Sequence, residues 1–176
     1  MDELILVRPT EKYAAEISAY RQEFLAADSS MDGCGSLKTI SNPLEWIADR
    51  ERKSKKETCP EGLVVATQFI YIRKSDNRLV GMIQVRHELN DYLEKYSGNI
   101  GYSVRPSERR KGYAKRMLSD ALSYCKEIGL DKVMVSCTET NQASRKTILA
   151  NGGKYESTVF EPDEMIHLEK YWIDLS

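Results

Sequence analysis

The chain has 176 residues, 41% of them hydrophobic and 30% charged, with only 10 Gly and 5 Pro, the composition expected of one soluble domain, residues 1–176, built on a single core. Lys and Arg total 26 against 27 Asp and Glu, a net charge of -1, which excludes nucleic-acid binding through bulk charge and leaves any basic chemistry local. No apolar run approaches the roughly 20 residues that span a bilayer, and Met1-Asp2-Glu3 lacks the basic-then-apolar layout of a secretory signal, so a cytoplasmic protein with no membrane partner is expected.

Leu4 to Val7 is a short apolar strand closed by Arg8-Pro9, and Thr10-Glu11 then starts a helix whose Tyr13, Ile17, Tyr20 and Phe24 recur at helical spacing. Asp28 to Ser41, with Asp32-Gly33-Cys34-Gly35-Ser36 at its centre, shows no periodicity and is expected to be an irregular, mobile loop. Asn42-Pro43-Leu44-Glu45 predicts a second helix with Asn42 as cap, Pro43 in the first turn and Glu45 reaching back; the basic run Arg50 to Lys56 reads as its solvated end. Leu63 to Ile72 and Leu79 to His87 form an antiparallel hairpin around Ser75-Asp76-Asn77. After a polar insert, Asn90 to Gly98, Ile100 to Val104 is another strand, ended by Arg105-Pro106.

Ala114, Met117, Leu118, Ala121, Leu122, Cys125 and Ile128 are spaced by three or four, a long amphipathic helix with Gly129 as a left-handed cap. Lys132 to Cys137 is a strand, Asn141 to Asn151 a helix closed by Gly152-Gly153, and Tyr155 to Phe160 with Ile166 to Leu175 a terminal hairpin. The order of elements indicates a mixed α/β (α+β) sheet in one domain. Cys34, Cys59, Cys125 and Cys137 form no C-x-x-C pair and fall on unrelated elements, so reduced, mostly buried thiols are expected, with neither a metal nor a disulfide framework.

The sharpest chemical signal is Arg109-Arg110-Lys111-Gly112-Tyr113-Ala114, which puts positive charge where the helix dipole is already positive. That clustering costs up to about 1 kcal/mol per charge at a helix end unless an anion sits there. Phosphate is the natural candidate, with first-turn amides pointing at it and Gly112 and Ala114 allowing close approach. Neither G-x-x-x-x-G-K-[ST] nor G-x-G-x-x-G is present. On the residues alone, a basic loop merely exposed to water remains the alternative.

Arg109-x-x-Gly112-x-Ala114 resembles the [QR]-x-x-G-x-[GA] motif of the Gcn5-related N-acetyltransferase (GNAT) family, and the strand before it and the helix, strand and helix after it follow that family's order. The resemblance covers most of the chain in topology and is specific from about Ile100 to Gly153. It implies a mixed, mostly antiparallel central sheet flanked by helices, and an acetyl-coenzyme A dependent transfer of an acetyl group directly to a primary amine of a small molecule or protein, without metal. It implies further that Arg109, Arg110, Lys111, Gly112, Tyr113 and Ala114 hold the cofactor's pyrophosphate, and that Val104 and Asn141 contact the pantetheine arm from two sides. Asn141-x-x-Ser144 followed by Asn151-Gly152-Gly153 is similar to the branch containing the ribosomal-protein alanine acetyltransferases.

Many relatives place on this last helix a tyrosine that protonates the departing thiolate; the corresponding position here is Ile148. Ser144 is therefore the candidate acid and a second cofactor contact, with Tyr102 and Tyr155 as weaker substitutes that otherwise fill the core. The amine must also lose a proton, and His87 and Glu88, closing the strand beside the cofactor strand, are the candidate bases. Glu139 is a further carboxylate nearby. Cys137 lacks any Cys-His-Asp order and is discounted as a nucleophile, and His167 is read as structural. A non-catalytic acyl-coenzyme A sensor that has lost its acid at Ile148 is the alternative function. A homodimer is common for such folds, but no coiled-coil seam or apolar patch in the sequence specifies one.

Overall fold

In a computed structural model that describes every residue from Met1 to Ser176, seven strands form one sheet. They are β1 (Leu4–Val7), β2 (Ala66–Arg73), β3 (Arg78–Arg86), β4 (Ile100–Val104), β5 (Lys132–Thr138), β6 (Lys154–Glu161) and β7 (Ile166–Asp174), in the order β1-β2-β3-β4-β5-β7-β6. Every neighbouring pair is antiparallel except β4 and β5. The helices are α1 (Ala14–Ala26), α2 (Pro43–Lys53), α3 (Tyr113–Glu127) and α4 (Gln142–Ala150).

Strand side chains alternate between faces, and on β2 both sets are apolar, so the sheet has to be covered twice. Ile70 and Ile72 meet Ile17, Tyr20 and Phe24 of α1 and Trp46 of α2 on one side. Phe69 and Tyr71 join Met117, Leu118, Ala121 and Cys125 of α3 and Ile148 of α4 on the other. Each large side chain fully buried in this way contributes about 2 kcal/mol relative to exposure. In β3 the pairing slips, with Tyr71 opposite Gly81 but Ile72 opposite Leu79, so Val80 is an extra residue. Gly81 beside it gives room to Met117, whose Sδ would stand 2.9 Å from a Cβ there and would have to shift.

Several expectations need correction. The segment Asp28 to Ser41 is irregular but anchored: Cys34 and Leu37 are buried in the α1/α2 core, and the Trp46 indole donates to Cys34 O at 2.8 Å. Gly33, at φ 71°, lies so close to β4 that an added Cβ would collide with Gly101 O. Arg50 is buried rather than solvated, paired with Asp49 at 2.7 Å under the Gly35 turn. Asn42 caps α2 through Leu44 N and Glu45 N, whereas Thr10 makes no side-chain cap and leads into a 3-10 turn, Glu11–Tyr13. The polar insert holds a π-helical turn, Leu93–Ser97, that buries Tyr96. Tyr155, expected in the core, is largely exposed. All four cysteines are free, and Cys34, Cys125 and Cys137 are buried.

Candidate active site

Between β4 and α3 the chain makes a 3-10 turn, Pro106–Glu108, and then passes through two left-handed residues, Arg110 (φ 64°) and Gly112 (φ 78°). This conformation is easy for Gly and costly for Arg, so something must hold it. Glu108, buried at the centre, supplies the brace: it accepts from Arg73 at 2.6 Å and Lys111 at 2.8 Å and sits 2.7 Å from Arg78 Nε. Burial alone would raise its carboxyl, but the hydrogen bonds from Arg73 and Lys111 outweigh burial and hold it down at about 2. A second brace is the buried Arg105, which donates to Glu23 and Glu16 of α1 and to Leu79 O.

The cluster Arg109 to Ala114 therefore differs from a simple patch of positive charge. Arg109 is spent on Val104 O and Ser29 Oγ and lies over the Phe24 ring, and Lys111 is spent on Glu108. Tyr113 is buried with its hydroxyl on Asp2. What the turn offers is backbone. The amides from Arg109 to Lys115 find no acceptor elsewhere in the chain, α3 has no side-chain cap and no acid in its first turn, and the exposed Arg110 side chain has no partner. Unpaired amides at a positive dipole end fit a pyrophosphate.

The parallel strands next to this turn separate almost at once. Ile100 pairs with Val135, and beyond it β4 and β5 share no further pair. Buried Asn99 pins the fork: it exchanges backbone bonds with Arg86 and Met134, its Oδ1 accepts from Met134 N, and its Nδ2 donates to Arg86 O. Into the opening beyond come Tyr102 from β4 and Ser144 from α4, whose hydroxyls are 2.6 Å apart. Burial lifts the Tyr102 phenol to about 12 and the neighbouring Cys137 thiol to about 11. Asn141 caps α4 by accepting from Ser144 N at 3.0 Å, which leaves its amide NH2 without a partner. Ile148, at the position where a tyrosine was sought, is fully buried beneath them.

His87 and Glu88 do not join this group. Ile83 is the β3 partner of Tyr102, and His87 lies four residues farther along, about 13 Å at the rise of a strand. Its Nε2 is bonded to Thr67 Oγ1 at 2.8 Å, which in turn meets Tyr124 Oη. Burial and then Arg8 push the imidazole below its usual value, toward the neutral form. Glu139 and His167 face each other at 3.7 Å, both exposed. No group of three or more His, Cys, Asp or Glu side chains is placed to hold a metal ion. The polar row Gln68, Gln84 and Arg86, on the opposite face of the sheet, escaped the sequence reading, although its period-2 spacing inside otherwise apolar strands was the visible signal.

The model of the acetyltransferase (GNAT) domain matches residues 3–154. The chain belongs to this family. It is an acetyl-coenzyme A dependent N-acetyltransferase, of a family that acts on amine substrates. None of the curated proteins matches it by sequence. Among solved structures it is similar to the ribosomal-protein-S5-alanine acetyltransferase from Vibrio fischeri, with TM-score 0.77 and 14% identity over 100% of this chain and 95% of that one. The microcin C7 self-immunity acetyltransferase MccE in complex with acetyl-CoA and AMP gives TM-score 0.72 and 20% identity, over 99% of this chain and 93% of that one. The yncA structure from Salmonella typhimurium, with its cofactor acetyl-CoA, gives 0.65 and 12%, over 98% and 94%.

Proposed function

We propose that this acetyltransferase moves the acetyl group directly to a primary amine in a ternary complex, with the cofactor between β4 and β5. The observation that carries this is the run of acceptor-free amides, Arg109 to Lys115, opening beside strands that part after one residue pair. Those amides and Arg110 would hold the pyrophosphate, and the unpaired edge of β4 through Val104 and the free amide of Asn141 would hold the pantetheine arm. Bound acetyl-coenzyme A supplies a thioester activated toward attack by an amine.

The chain's own groups divide the remaining work. Tyr102, kept neutral by burial, is a donor at neutral pH and cannot serve as a base. Its short bond to Ser144 makes a two-hydroxyl relay able to deliver a proton to a departing sulfur, replacing the tyrosine that Ile148 displaces from α4. Burial holds the Cys137 thiol up at about 11, which disfavours its thiolate and so a covalent intermediate, in keeping with direct transfer. With His87 occupied about 13 Å away along β3, the amine sheds its proton to water, and the rate should rise with pH through the acceptor's own pKa instead of levelling near 6.5. The Tyr102–Ser144 pair supplies a donor in place of the tyrosine missing at Ile148, which supports turnover over a sensor.

Calorimetric titration with acetyl-coenzyme A should show saturable micromolar binding, and release of free thiol should then depend on added amine. Absence of binding would sink the cofactor assignment. Binding with no thiol release across a broad set of amines would restore the sensor.

A further inference from the structure

On the face of β4 opposite Tyr102, the sheet is polar where its neighbours are apolar. Gln68 on β2 pairs with Gln84 on β3, and Gln84 with Gly101 on β4, a polar row crossing three strands beneath the Asp28 to Ser41 segment. Gln68 and Gln84 are both buried. Gln68 Nε2 donates to Gly33 O at 2.7 Å and so seats the Asp32-Gly33 turn on Gly101. Two residues beyond Gln84 on the same face stands Arg86.

Arg86 is the unusual group here. It is partly buried, its ionisation is pushed down chiefly by that burial, and no carboxylate of the chain lies within ion-pair distance. Every other arginine drawn far into the fold has one: Arg50 has Asp49, Arg73 has Glu108, and Arg105 has Glu16 and Glu23. Its one hydrogen bond runs from Nη1 to Gly98 O at 3.0 Å. That bond fixes the guanidinium plane and leaves the Nε and Nη2 edge free, the edge that grips a carboxylate with two parallel bonds. Nη2 stands 3.7 Å from the place where a Cβ on Gly101 would be, so a side chain at that position would lie in van der Waals contact with the free edge and occupy the space over it. Gly101 is the residue before Tyr102, about 3.3 Å along the strand but facing the other side of the sheet, so a ligand held over Gly101 reaches the Tyr102 side through the gap that opens between β4 and β5 just beyond Ile100.

Taking acetyl transfer at Tyr102 and Ser144 as the reaction, we propose that Arg86 reads the acceptor: the substrate carries a carboxylate within a few ångströms of its amine, as a free amino acid does, and that carboxylate docks on the Nε and Nη2 edge of Arg86 over Gly101. Asp32, on the turn that Gln68 seats, is close enough to influence both Arg86 and Tyr102, and offers the matching negative charge for the ammonium end. A peptide amino terminus lacks the adjacent carboxylate, so a protein acceptor fits this pocket poorly.

The test uses matched probes on the intact protein: L-amino acids, the amines of the same skeleton without the carboxylate, and short peptides beginning with the same residues. Transfer is followed by thiol release, and binding to the acetyl-coenzyme A complex by calorimetry. The amino acids should exceed their decarboxylated partners by at least about 30-fold in kcat/KM and should bind where the amines do not. Arg86→Gln should erase that ratio through KM while acetyl-coenzyme A affinity stays within about twofold, and Arg86→Lys should restore it only in part. Equal or better use of the decarboxylated amines or peptides, no transfer to any amino acid, or an unchanged ratio in Arg86→Gln would overturn the proposal. Because acetyl-coenzyme A binding is measured on the same samples, its loss in the unaltered protein would indict the cofactor assignment instead. An Arg86→Gln variant that fails to fold is replaced by Gly101→Ala, which puts a methyl in van der Waals contact with that edge, in the space a docked carboxylate would use, and should lower the ratio while the guanidinium stays in place.

Discussion

The two faces of β4 are built on opposite plans. At the turn into α3, charge is used internally: Arg109, Lys111, Arg73 and Arg78 all turn toward Val104 O, Ser29 or Glu108, and the surface left for a ligand is backbone amide. On the side of the Asp32-Gly33 turn the backbone is covered and a side chain, Arg86, is left with a free edge. A backbone cradle holds any ligand of the right shape and tolerates change in the side chains around it. A side-chain fork discriminates between ligands and is altered by a single substitution. A cofactor shared by a whole family suits the first plan, and a substrate peculiar to one member suits the second.

Gly112→Val gives the largest break in this contrast, since it forces a β-branched residue to φ 78° at the mouth of the cradle. Acetyl-coenzyme A affinity should fall at least about 100-fold in calorimetry, with the far-ultraviolet dichroism unchanged. Glu108→Gln removes the brace, leaving Arg78 without its close carboxylate and Arg73 with Asp76 alone, an expected loss of about 3 kcal/mol in urea unfolding. The same variant tests the pH response. Stability from a carboxyl held at about 2 is complete above its unfolded value of 4.5 and is lost as pH falls from there toward 2; the acid limb of the stability curve should flatten in Glu108→Gln. Tyr102→Phe should lower kcat by about 10- to 100-fold and leave acetyl-coenzyme A binding unchanged, and Ser144→Ala should lower it less if Tyr102 stands nearer the leaving sulfur. His87→Gln should be the mildest, with kcat within about twofold and stability lowered by about 1 kcal/mol through the bond to Thr67. A larger fall in kcat would return His87 to the reaction.

What the sequence disclosed follows the same division. Strand alternation and the three-and-four spacing of α3 depend on neighbours along the chain, and these located the seven strands and four α-helices to within a few residues, while the π-helical turn at Leu93–Ser97 passed as a polar insert. The turn after β4 was legible for the same reason, because Arg109, Gly112 and Ala114 act within one stretch. The acceptor face was not, since Arg86, Gly101, Gln68 and Asp32 come from four separate segments and meet only once the sheet has formed. The misplacement of His87 has a related cause. It closes a strand adjacent to β4, but antiparallel pairing carries the end of β3 away from the end of β4, toward Ile100 and Asn99. Arg50 misled in another way: its helix end looks solvated along the chain and is covered by the Gly35 turn from a distance.

The fork between β4 and β5 also divides the molecule mechanically. Within the sheet, strands β1 to β4 and strands β5 to β7 meet only where Ile100 and Gly98 pair with Val135 and at the Asn99 clip between them. An extended ligand with amides of its own, laid in that gap, works as an eighth strand and closes a seam the chain leaves open. Amide hydrogens of β4 and β5 that line the gap should then exchange more slowly in the loaded protein than in the free one, while the core shared by the two halves keeps the rest protected in both. With the cofactor placed as proposed, its binding completes the pairing that the chain leaves open at the fork.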